Sequence, residues 1–289
     1  LIDSPRGRLI VNADDFGLTS GVNRGIIELH SAGLVTSTSL MARAGATEEA
    51  IELARATPML GVGCHVVIVD GEPVLPPDQI PTLVDSRTGH FPHSLNTFLT
   101  RLFTGRISSA EVEAEAGAQI DFLQQRGIRL THIDTHKHTH VLPQVLHPVL
   151  RAASARGIRA IRNPFEPKWS IHATPRAQWL RTVQVSALRW LEPFCCGIIE
   201  KEGFVTTGGT VAVIGTGLLD AAMLRSMLAS LPPGTWELVT HPGYNDADLE
   251  RIPTRLRASR DGERDALTVL KEFPDIKLIS FAELQSGSP

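Results

Sequence analysis

Strand-like and helix-like segments alternate along all 289 residues of this chain, and that alternation limits the fold more than any single motif does. "RLIVNA" (Arg8–Ala13) reads as a buried strand. "GVNRGIIELHSAG" (Gly21–Gly33) sets Val22, Ile26 and Leu29 at helical spacing before a glycine stop. "LVTSTSLMA" is rich in β-formers, and "ATEEAIELARATP" is an amphipathic helix that Pro58 ends. Leu60–Val69 supplies the next strand. Ser108–Gly127 is a long helix in which Ser108 and Glu111 form a capping-box pattern. "IRLTHID" returns to strand, Pro143–Gly157 to helix and Ile158–Pro164 to strand. A helix over Ala221–Leu231, the strand Trp236–Pro242, a helix near Gly262–Phe273 and the closing "IKLISFAEL" continue the series. Repeated β-then-α units of this size predict a parallel α/β architecture, most simply a (β/α) barrel. The Pro/Gly-rich stretch Asp70–Pro92 is too long for an ordinary βα loop. Long loops at that end of a barrel serve as lids or substrate walls.

Composition narrows the function classes. A formal charge of −3 offers no basic stripe for a phosphate backbone, so nucleic acid is not an expected partner. Three cysteines (Cys64, Cys195, Cys196) are too few for a disulfide framework, odd in number and without CxxC spacing, which favours a reducing, cytoplasmic compartment. No signal-peptide pattern precedes "RLIVNADDFG", and no window approaches the roughly 18 uninterrupted apolar residues of a transmembrane helix.

Chemistry-bearing residues collect at strand ends. Asp14–Asp15 follow the first strand, His65 lies in "GVGCHVV", and Asp134, His136, His138 and His140 run through "THIDTHKHTH". His241 follows "WELVT". In parallel α/β proteins the C-terminal strand ends open onto one face, so these distant residues converge there. Imidazole and carboxylate suit zinc or a similar divalent cation, and two His plus one Asp leave a position open. A second carboxylate beside the metal could act as base, and a histidine opposite could protonate a leaving group. Neighbouring Asp14 and Asp15 point opposite ways on an extended chain, so both serve one site only if the backbone turns, which Gly17 permits. Each feature also has a plainer reading. The aspartates could end a strand and cap a helix, His65 could be a satisfied core histidine, and the histidine run could be solvated. Period two would put Asp134 and His136 on one face, whereas a helical turn would pair His136 with His140. His30, His90, His93, His147 and His172 have no partners in sequence and read as surface or packing residues.

"LIVNADDFGLTSGVNRGI", "VTSTSLMA", "GVGCHVVIVDGEPVL" and "THIDTHKHTH" followed by Pro143 resemble the YdjC-like carbohydrate deacetylases, a family that includes chitooligosaccharide deacetylases. The match runs from about Arg8 to His241. Within the family, "VDGEPVLPPDQIPTLVD" looks most like the branch associated with hopanoid biosynthesis. The resemblance implies a single-domain, distorted TIM-like barrel holding one divalent metal, zinc or magnesium, on Asp15, His65 and His136. It further implies Asp14 as base, an order with Asp15 that analogy leaves reversible. His241 would be the acid or transition-state stabiliser, and His132, Asp134, His138 and His140 would surround the metal or face the substrate. The implied reaction is removal of acetyl from an N-acetylated amino sugar, on an oligosaccharide or a hopanoid glycolipid. A metal hydrolase for another bond, such as a phosphoester, and a non-catalytic glycan-binding protein are the rival classes.

Residues 168–203 carry no family pattern and read as a variable insertion. There Leu180, Val183, Leu188, Trp190 and Leu191 could form an apolar stripe, with Arg176, Arg181 and Arg189 nearby. The stripe suits a core or dimer-contact helix. It also suits a helix lying on the inner membrane face or gripping a lipid.

Overall fold

The computed structural model describes residues 5–174 and 179–286. Arg176 lies outside the described residues, as does the side chain of Leu180. The elements are β1 (Gly7–Phe16), α1 (Ser20–Ser31), β2 (Ser37–Leu40), α2 (Thr47–Ala56), β3 (Gly61–Val66), α3 (Leu95–Phe103), α4 (Ser109–Gln125), β4 (Leu130–Thr135) and α5 (Pro143–Ser154). They continue as α6 (Lys168–Ala173), α7 (Trp179–Leu188), α8 (Glu192–Lys201), β5 (Thr210–Val211), α9 (Ala221–Ala229), β6 (Thr235–Thr240), α10 (Ala247–Glu250), α11 (Arg260–Ala266), β7 (Ile276–Leu278) and α12 (Phe281–Ser286).

Every residue of β1 except Arg8 is buried, as expected of a strand covered on both faces. It pairs in parallel with β6 along one edge, and with β7 and then β2 along the other. The sheet runs β4-β3-β2-β1-β6-β5 and curls. Single bridges join Ile133 of β4 to Ile161, and Ala160 to Val205. The chain after Val205 reaches β6, where Glu237 N donates to Gly209 O at 3.1 Å. The ring therefore closes into a distorted (β/α) barrel within one α/β domain. The expected strand at Ile158–Pro164 is reduced to those bridges at Ala160 and Ile161.

Local chemistry sets the helices. Ser108 caps α4 by accepting from Glu111 N at 3.4 Å, but the capping box is only half made. The Glu111 carboxylate instead accepts from Thr82 N and Thr82 Oγ1, both at 2.7 Å, and so ties down the Asp70–Pro92 loop. One turn further along α4, buried Glu115 accepts from Val74 N at 2.8 Å and Leu75 N at 3.0 Å. This loop is pinned along its length. The segment from α6 to α8 behaves differently from an ordinary core. α8 buries Cys195, Ile198 and Ile199, whereas Val183 is 58 % exposed, Leu188 41 % and Trp190 87 %, so the core reading of that stripe fails for these three. Among the described residues no helix is long and apolar enough to cross a membrane.

Replacing Glu115 by Ala leaves two loop amides without an acceptor, which should cost about 1–3 kcal/mol. Urea unfolding should show that loss, and amide exchange at Val74 and Leu75 should quicken. Unchanged exchange there would mean that the loop is held by its apolar contacts instead.

Candidate active site

The site begins with an irregularity in β1. Its register with β2 shifts between Ala13 and Phe16, Asp15 takes φ +66° and Gly17 φ +96°. A bulged, turned strand end lets both neighbouring carboxylates face one site, whereas a regular strand would send them to opposite faces. His65 sits in β3, His136 directly follows β4, and His241 directly follows β6.

Three atoms converge there. His65 Nε2 lies 3.2 Å from His136 Nδ1 and 3.8 Å from Asp15 Oδ1, and Asp15 Oδ1 lies 3.5 Å from His136 Nδ1. His65 Nδ1 is 2.8 Å from Asp134 Oδ1. That carboxylate accepts from Nδ1 and so turns Nε2 toward the cluster, the orientation that metal-binding histidines require. Asp15 Oδ2 accepts from Arg260 Nη2 at 2.6 Å, which leaves Oδ1 for the cluster.

Asp14 is held apart from this group. Arg162 Nη2 donates to its Oδ1 at 2.6 Å and Nη1 to its Oδ2 at 2.9 Å. The same buried guanidinium reaches Asp134 Oδ2 at 2.6 Å and Glu237 Oε1 at 2.7 Å. His241 completes the arrangement. Its Nε2 is 3.8 Å from Asp14 Oδ2, its Nδ1 is 3.7 Å from Glu263 Oε2, and its backbone N–H donates to Glu263 at 2.6 Å.

The other histidines of the run diverge. Lys137 and His138 take positive φ (57° and 52°), so the chain swings away after His136. His140 is buried against Thr135 Oγ1 at 2.7 Å and Arg162 O at 3.2 Å. His138 is half-buried, and its Nδ1 has no hydrogen-bond partner among the described residues. His132 points into the barrel, stacked 3.9 Å from Phe281.

Electrostatics separates these groups. Burial would raise Asp14 and Asp15, but Arg162 beside the first and Arg260 beside the second hold both below the usual carboxylate range. Burial would lower His65, yet Asp134 and the two site aspartates push it up to about 9. Burial likewise opposes protonation of His241, and Glu263 outweighs it and raises the group. His132 goes the other way: burial, with Arg162 nearby, pushes it down to about 3. His140 is pushed down to about 4 chiefly by burial. An end of the barrel that favours a proton on His65 also favours a metal cation there. The two-imidazole, one-carboxylate set of Asp15, His65 and His136, with all three ligand atoms within 4.8 Å, fits a divalent ion. A second grouping, Asp14, His65 and Asp134, also has its ligand atoms within 4.8 Å of one another. Its two carboxylates are already engaged by Arg162, so it fits less well.

Sequence reasoning missed Arg162, Glu237, Arg260 and Glu263. A signal existed for the first two, because an arginine in "IRAIRNP" and a glutamate in "WELVT" are charges in segments that read as buried strand. Arg260 and Glu263 lie on a polar helix whose sequence carries no such sign.

A sequence profile for the family described as YdjC-like protein matches residues 8–271. The chain is 31 % identical to a carbohydrate deacetylase of Thermoanaerobacter pseudethanolicus, over 90 % of either protein. It is also 31 % identical to a carbohydrate deacetylase of Brevibacillus brevis, over 96 % of this chain and 99 % of that one. Among solved structures, an Enterococcus faecalis protein provisionally named for cellobiose-phosphate cleavage superposes with a TM-score of 0.76 at 26 % identity, covering 96 % of this chain and 99 % of that one.

Replacing Arg162 by Met would strand three buried carboxylates, and the folded state should lose about 3–5 kcal/mol at neutral pH. Chemical denaturation would measure it; a loss under 1 kcal/mol would show that Asp14, Asp134 and Glu237 do not depend on this cation.

Proposed function

This chain belongs to the YdjC-like family, and from that premise we propose that it is a metal-dependent hydrolase removing acetyl from an N-acetylglucosamine-containing substrate. The observation that carries the reading is a division of labour. One cluster (Asp15, His65, His136) presents ligand atoms that are close to one another, with Asp15 anchored through its other oxygen. Beside it stand a separately anchored carboxylate, Asp14, and a protonatable imidazole, His241. The names borne by the two deacetylase relatives support the bond and the substrate class.

A divalent metal on Asp15, His65 and His136, zinc or magnesium, supplies Lewis acidity toward the acetamide carbonyl when bound. Asp14 is the base that takes a proton from the attacking water, and Arg162 keeps it ionised and aimed. His241, held by Glu263, gives a proton to the departing nitrogen as the C–N bond breaks, leaving acetate and a free amine. His132, Asp134, His138 and His140 shape the surroundings of these groups, with Asp134 orienting His65. The finer substrate we propose is an N-acetylglucosaminyl lipid of the hopanoid class, supported by the resemblance of the Val69–Asp85 loop to that branch. The free cysteines, Cys64 and Cys195 buried, support a reducing, cytoplasmic setting.

Purified protein offered diacetylchitobiose and an N-acetylglucosaminyl lipid in detergent should release acetate from at least one, and a chelator should stop it. Asp14→Asn should keep its metal while turnover falls about 10²–10⁴-fold, whereas His65→Ala and His136→Ala should lose metal. An Asp14→Asn protein stripped of metal would exchange the roles of Asp14 and Asp15. No acetate from fully metallated protein would defeat the deacetylase reading.

A pH prediction follows from His241. Because its pKa is raised and its protonated form is the one required, turnover should hold through the ordinary imidazole range and fall only above it. His241→Asn should remove that alkaline limb from the rate profile. A limb that persists in the variant would assign it to another group.

A further inference from the structure

Large apolar side chains are concentrated on one exposed surface. Trp179 (71 % exposed), Val183, Leu188, Trp190 (87 %) and Phe194 (59 %) all lie between α7 and the start of α8. Between α6 and α8 runs an open groove of about 620 Å³, whose lining includes Ile171, Trp190, Pro193, Lys168 and His172. The charge of this part of the chain is equally one-sided. From Lys168 to Leu191 the sequence contains Lys168, Arg176, Arg181 and Arg189 and no Asp or Glu, in a protein whose net charge is −3. Glu192 at the edge offsets one of them, through a 2.7 Å pair with Arg189. Backbone carbonyls hold Arg181, by Val213 O at 2.8 Å and Thr216 O at 3.2 Å, so its charge is fixed in place, with Glu166 the acid near enough to act on it.

We propose that this surface docks the protein on an anionic phospholipid bilayer. Tryptophan gains most at a boundary that is apolar on one side and wet on the other, and cations next to it draw the protein to acidic headgroups. A second copy of this chain is a poorer occupant, because two faces that each keep Lys168 and Arg181 in excess of the Arg189–Glu192 pair would meet in a symmetric dimer. The surface also borders the catalytic end of the barrel. Arg189 Nη1 donates to Glu166 O at 2.5 Å, and Cys195 Sγ to Val141 O at 3.6 Å, just after the His136–His140 run. A membrane held there brings lipid-linked substrate to the side of the site. The docking extends the glycolipid reading above, but vesicle binding is measured without turnover, so the two stand or fall separately.

The test is flotation of full-length protein with phosphatidylcholine vesicles and with vesicles of phosphatidylcholine and phosphatidylglycerol. The protein should float with the anionic vesicles and be released by salt, and its tryptophan emission should shift to the blue. Trp179→Ser with Trp190→Ser should weaken partitioning at least tenfold, and Lys168→Glu should weaken it for anionic vesicles only. Circular dichroism and the thermal unfolding midpoint should be unchanged in both variants and report that they are folded. Three results would overturn the proposal: no flotation of wild type, equal flotation of the tryptophan variant, or a concentration-dependent dimer that this variant abolishes.

Discussion

Arg162 is the interaction on which the rest of the structure depends. A guanidinium taken out of water costs several kcal/mol unless its donors are fully used. This one spends its Nε on Glu237 from β6 and its two Nη atoms on Asp14 from β1 and Asp134 from β4. It therefore ties three strands through charge at the same level where their backbones are tied by hydrogen bonds. Register and site geometry become one constraint, because a one-residue slip of β1 would turn Asp14 to the other face of its strand. The same cation keeps Asp14 ionised while burial pushes the other way.

The charge at this end of the barrel does not balance. Asp14, Asp15, Asp134, Glu237 and Glu263 face two guanidiniums, those of Arg162 and Arg260. The deficit is visible in the groups that respond to it. His65 rises to about 9, His241 rises, and Glu237 is pushed up to about 7 by burial against the opposing pull of Arg162. His132 and His140 fall instead, since burial dominates and Arg162 is close. The buried histidines thus divide: His65 and His241, which face carboxylates, favour a proton, while His132 and His140 stay neutral, and the division follows from which neighbour each ring faces.

Much of this could be read from the chain before its structure. Alternating apolar runs and amphipathic stretches are local properties, and in a parallel sheet they also decide which ends of the strands share a face. Asp14, Asp15, His65, His136 and His241 were therefore legible as one site. What was not legible depends on long-range partners. Gly17 signalled that the backbone could turn after the two aspartates, and it does, but the register shift against β2 that accompanies the turn is not announced by any residue type between Ala13 and Phe16. Glu111 has the spacing of a cap residue, yet it bonds the Thr82 loop because that loop happens to lie within reach. The α6–α8 segment shows its apolar spacing plainly, but spacing alone cannot say whether a neighbour covers it. Val183 and Trp190 lie open, while Ile198, a short distance on, is buried.

The two walls beside the site differ in kind, and the difference bears on what lies beyond the acetyl group. One wall is the Asp70–Pro92 loop, fixed to α4 by the buried carboxylate of Glu115 and joined to the site by a 2.7 Å pair between Asp70 and Lys137, the residue after His136. Polar groups line it, among them His93 at 3.6 Å from Asp70 and Arg43 at 3.8 Å from Glu72. The other wall is the α6–α8 segment, apolar and cationic. The barrel strands set the bond that can be broken, since Asp14, Asp15, His65, His136 and His241 each come from near a strand end or the residue after it. On the reading proposed above, the walls would set what is attached to that bond: a hydroxyl-rich sugar along the first, and an apolar anchor along the second. A substrate that is sugar at one end and lipid at the other would use both walls together, whereas a soluble oligosaccharide would leave the aromatic wall in water.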